Sequence, residues 1–204
     1  MMRKTTSLVL ILLIAVGSFE SLFSQTSYTS TSDTRAWFTT RWNNSADGPT
    51  YTSSFTSGNN ALFTSGTYSF AGMGSAIAVG NITLNDNVTV TFTSTGSSLS
   101  TGGTVKTISV GAGSLLDLNS QAYSSTVGTG FIKNGAGVFA SGGGTFQGGF
   151  TVNAGTVIAR GTTGFGSGST NTLTLNGGTV AANASRTFDS TRFGGGITIG
   201  GNVQ

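Results

Sequence analysis

The sequence predicts an all-β protein, a parallel β-helix whose first coils are covered by an irregular N-terminal cap. Three observations carry this. A short apolar and polar pattern returns about every 23 residues along the second half of the chain. Gly accounts for 33 of 204 residues, with one proline and 7% charged residues, where a soluble globular domain averages about 25% charged. The rest is rich in Thr, Val, Ile and Phe, which favour strands, and after the first segment no long apolar stripe of helical period is found.

Residues 1–24 read as a secretory signal peptide. Arg3 and Lys4 form a positive start, Leu8 to Val16 is an apolar run of nine residues, and Gly17 and Ser18 break it. The run is well short of the roughly 20 residues that span a bilayer. Cleavage is expected after Ser24, although Leu22 at the third position before the cut is larger than usual. The expected location is therefore secreted or on a bacterial cell surface. Losing Arg3, Lys4 and Glu20 leaves seven of the nine bases and five of the six acids. The bases are scattered, so no nucleic-acid surface is predicted. There is no cysteine and no histidine, so disulfides and thiolate metal sites are excluded.

Residues 25–80 form the predicted cap and irregular first coils. They hold Trp37, Trp42, Pro49, Tyr28, Tyr51 and Tyr68. A solenoid needs its first coil covered, because an open end exposes both its core and an unpaired strand edge. Trp37 and Trp42 are the candidates for stacking on a sugar ring; packing within the cap is the plainer reading.

Residues 81–204 hold the repeats. Copies begin at Ile82 (ITLNDNVTV), Ile108 (ISVGAGSLL), Phe131 (FIKNGAGVF), Phe150 (FTVNAGTVI), Leu173 (LTLNGGTVA) and Ile197 (ITIGGNV), spaced 26, 23, 19, 23 and 24 residues apart. Each contains a short strand with one buried face, a turn of two or three residues that most copies build with glycine, a second short strand and a return segment. Such a unit cannot bury its apolar face alone. Stacking the coils buries it and pairs each strand with those above and below. Six coils at about 4.8 Å each make a rod on the order of 29 Å long. Phe131, Phe139, Phe146 and Phe150 read as core residues stacked between coils.

The run from Gly130 to Val138 (GFIKNGAGV), followed by that from Gly144 to Val157 (GTFQGGFTVNAGTV), resembles the autotransporter-associated β-strand repeat. Lys133, Gly135, Gly137, Gly149, Asn153 and Gly155 carry the motif; Val138 stands where leucine is usual. The best copy covers residues 130–161 and weaker ones extend to about 58–204. The resemblance implies a right-handed β-helix passenger region of a large exported surface protein, of which this chain is a part. It names no ligand or catalytic residue. Any contact with an outer membrane would come through further C-terminal sequence.

Catalysis needs converging groups. Without His or Cys, Ser–His and Cys–His mechanisms fall away. The acids left after cleavage are Asp33, Asp47, Asp86, Asp117 and Asp189. Asp86 and Asp117 lie at different distances from their repeat starts and should not stack. No enzyme activity and no cofactor are expected. Gly164 to Gly168 (GFGSG) lacks the Gly-Lys-Ser/Thr ending of a phosphate loop and reads as a glycine-rich corner. Lys133 reads as a solvated edge residue. Asn43-Asn44-Ser45 and Asn81-Ile82-Thr83 match glycan sequons, as an Asn/Ser/Thr-rich chain does by chance. The expected function is a structural surface stalk. The alternatives are an adhesin binding surface glycans or other host or cell-surface molecules through the aromatic cap, or the non-catalytic N-terminus of a secreted carbohydrate-active enzyme.

Overall fold

A computed structural model describes residues 25–28, 43–44, 57–71, 77–93, 98–119, 122–125, 128–146, 148–161, 163–165, 169–183, 185 and 193–201. Every regular element among them is a β-strand. Ahead of the coils come β1 (Gln25–Tyr28) and β2 (Asn43–Asn44). The first coil is β3 (Asn60–Phe63), β4 (Gly66–Phe70) and β5 (Ile77–Ala78). The second is β6 (Ile82–Leu84), β7 (Val88–Phe92) and β8 (Ser98–Ser100). The third is β9 (Lys106–Val110), β10 (Leu115–Asp117) and β11 (Ala122–Ser125). The fourth is β12 (Phe131–Asn134), β13 (Val138–Ser141) and β14 (Gly143–Phe146). Then follow β15 (Phe150–Val152) with β16 (Thr156–Ala159), β17 (Leu173–Leu175) with β18 (Thr179–Ala182), and β19 (Ile197–Ile199).

Like strands of successive coils pair in parallel and build three sheets. The first runs β19-β17-β15-β12-β9-β6-β3-β1-β2, the second β18-β16-β13-β10-β7-β4, and the third β14-β11-β8-β5. From β3 to β17 the chain makes five turns. This is a parallel β-helix, and its coils are consistent with the right-handed winding that parallel crossovers adopt. The return segment, expected to be irregular, carries a short strand of its own in four coils. At the N-terminal end β1 adds in parallel to β3, and β2 closes the sheet antiparallel to β1. The open edge of β3 is thereby paired.

The strands alternate as the repeats require. In β7 the pattern buries Val88, Val90 and Phe92 and turns Thr89 and Thr91 outward. The inward residues form columns along the axis. In the first sheet one column is Ala61, Ile82, Ile108, Lys133, Val152 and Leu175. In the second, Tyr68, Val90, Leu116, Phe139, Val157 and Val180 are in register. Rings fill the wider gaps: Phe70 stacks on Phe92 at 5.2 Å and Phe139 on Phe150 at 6.0 Å. Phe150 in turn stacks on Phe165 at 6.1 Å. Phe131, Phe139 and Phe150 are buried; Phe146 lies in β14.

The register differs from the sequence alignment at one step. The repeats align Ile108 with Phe131, but β9 and β12 pair Ile108 with Lys133 and Lys106 with Phe131. A shift of two residues keeps every side chain on its face, so the alternation alone could not reveal it. The corner between the first two sheets absorbs the shift. It takes eight residues from Ile108 to Leu116, six from Lys133 to Phe139, and five from Val152 to Val157. The coil therefore tightens at the fourth turn.

Candidate functional site

The motif residues converge on this tightened corner. Lys133 corrects the expectation of a solvated edge residue: it is fully buried. Its stem lies in the column between Ile108 and Val152. The ammonium Nζ donates to the carbonyl oxygens of Asn134 at 2.8 Å, Gly135 at 2.7 Å and Ala154 at 3.2 Å. An ammonium has three donors, and each finds a carbonyl. Two come from its own corner and one from the corner of the next coil, so the side chain pins the two turns together. Burial strips water from the charged form and pushes the Lys133 pKa down from 10.5 to about 8. The sequence held a signal for this. FIKN matches FTVN and LTLN position by position, which puts Lys133 in the place of the inward Val152 and Leu175.

Glycine makes the close corners feasible. Gly155 has φ +76, and a Cβ there would sit 2.4 Å from the Gly135 oxygen and 2.5 Å from the Gly137 oxygen. Only a residue without a side chain tolerates both the conformation and the approach. Gly135 (φ +78) and Gly137 press in the same way on the corner of the third coil, and Gly149 (φ +110) opens the strand that begins at Phe150.

Asn153 belongs to a ladder on the outside of the corner. Its Nδ2 donates to Asn134 Oδ1 at 2.8 Å, and its Oδ1 accepts from Asn176 Nδ2 at 2.8 Å. The recurrence of Asn after FIK, FTV and LTL is the legible trace of this ladder.

The described acids lie apart. Asp86 is in the corner after β6, where its Oδ1 accepts from the Ala112 amide at 2.7 Å. Asp117 ends β10, in register with Thr91. Its Oδ2 meets Arg160 Nη2 at 2.5 Å across the intervening β13. Among the described residues no group of three His, Cys, Asp or Glu is placed to hold a metal ion. In the GFGSG stretch, Gly164 lies in a turn and Phe165 is buried against Phe150. Trp37 and Trp42 lie outside the described residues, as do the signal segment and Asp33, Asp47 and Asp189.

Comparison with protein-family models, curated proteins and solved structures finds no match in any of the three.

Proposed function

We propose that the chain is the stalk of an exported β-helix displayed on, or released from, a bacterial cell, in the manner of an autotransporter passenger. The observation that carries this is the unbroken parallel pairing of the first sheet from β3 to β19. A chain built so extends along one axis, each coil resting only on its neighbours. The outward face of its first sheet is made mostly of Thr, Ser and Asn and carries no charge. The export segment ends at Ser24, immediately before β1 begins at Gln25, so cleavage there would leave the first strand as the mature N-terminus.

The test expresses the full natural reading frame in bacteria, with an epitope inserted in the exposed turn at Gly103. Antibody labelling of intact cells or of the medium, with a mature N-terminus at Gln25, is the expected result. Protein confined to the cytoplasm with residues 1–24 still attached would refute the proposal.

A further inference from the structure

The outward side of the first sheet is a two-column array. Register places Thr107, Ile132, Thr151 and Thr174 in one column, and the bond from the Thr107 amide sets Asn81 at its head. Two residues further along each strand, Thr83, Ser109, Asn134, Asn153 and Asn176 form the other. Ranks repeat at about 4.8 Å along the axis, and the two columns stand about 6.6 Å apart along the strands. All ten residues are exposed or half-exposed. Nine of the ten carry a hydroxyl or a side-chain amide, and Ile132 is the exception. None is charged and none is aromatic.

Hydrogen bonds hold the amides in place. Asn81 Oδ1 accepts from the Thr107 amide at 2.9 Å, and Asn134, Asn153 and Asn176 are joined side chain to side chain. These four amides are thus ordered before anything binds, which lowers the entropic cost of association. The second sheet lacks this regularity. Its outward positions include Leu115, Asp117 and Ile158, crossed by the Asp117–Arg160 ion pair.

A single soluble ligand is held in a concave site that surrounds it. A face of uncharged, mostly polar ranks repeated at one interval instead favours a partner with its own repeat, because each further rank adds contacts after association has been achieved once. The composition narrows the partner. Without charge the face has no hold on a polyanion or polycation. Without aromatic rings it offers no platform for the faces of sugar rings. Hydroxyls and amides at fixed intervals, with threonine methyls between them, are groups that can order water into a lattice. We propose that the outward face of the first sheet, from Asn81 and Thr83 to Thr174 and Asn176, binds ice.

The purified protein would be tested by partition into a slowly growing ice front and by the shape of single ice crystals. Wild type should enter the ice and facet the crystals. Thr151→Tyr and Thr174→Tyr should each lower the ice-bound fraction by about tenfold, since a ring projecting from one rank lifts its neighbours off the lattice. Thr89→Tyr, outward on the second sheet, should partition as wild type. Circular dichroism checks folding, and Thr174→Lys replaces any tyrosine variant that loses its β-signal. Exclusion of wild type from ice, or tyrosine variants that partition unchanged, would overturn the proposal. So would retention on crystalline cellulose that the same variants abolish, since the face would then belong to a polysaccharide lattice.

Discussion

Lys133 links burial, charge and pH in a way that can be measured. Its pKa falls from 10.5 in the unfolded chain to about 8 in the folded one, through desolvation. Between those values the unfolded chain holds the proton more tightly than the folded chain does. Stability must therefore rise as pH climbs through this window. At 1.36 kcal/mol per unit, the shift corresponds to about 3 kcal/mol, fully gained above the unfolded value. The perturbation is Lys133→Met, which keeps much of the stem and removes the ammonium. Urea unfolding of wild type and variant from pH 7 to pH 11 isolates the effect, because tyrosines and the remaining bases titrate in both proteins. The wild-type free energy of unfolding should gain about 3 kcal/mol on the variant across the range. A difference that stays flat would mean that the three carbonyls replace water completely. A difference that falls with pH would mean that the cradle favours the ammonium over water. Either result would refute the reasoning.

Two stability predictions concern the corner and the core. Gly155→Ala forces a Cβ against the Gly135 and Gly137 oxygens at φ +76, and should cost at least about 1–3 kcal/mol; a loss below about 0.5 kcal/mol in chemical unfolding would contradict the close approach. Phe139→Ala removes a fully buried ring that stacks on Phe150, and should cost about 3–5 kcal/mol. Thr156→Ala, outward in the adjacent coil, should stay within about 0.5 kcal/mol of wild type in the same assay.

Some of this protein was legible because its coils obey local rules. Alternation in ITL, FTV and LTL assigns an inward face to each short strand, and the glycines mark the corners between sheets. A unit of about 23 residues with one apolar face has no stable fold alone, so recurrence implies stacking. The Asn ladder was visible as recurrence, although only stacking turns that recurrence into hydrogen bonds. The third strand of the coil was not legible. The segments around Ala122 and Gly143 lack a repeated apolar pattern, and their pairing comes from the coils on either side.

By itself, the sequence determined the strand faces, the glycine corners and the order of the repeats, because these follow from residues a few positions apart. Tertiary structure decided the register between the third and fourth coils. A two-residue shift preserves the alternation, and only the pairing of Lys106 with Phe131 distinguishes the two alignments. It also decided what Lys133 meets. The match of FIKN to FTVN and LTLN points the side chain inward, but only the stacked coil brings the Ala154 carbonyl over its ammonium. The outward lattice has the same origin: residues about 20 positions apart become neighbours at about 4.8 Å only when the coils stack.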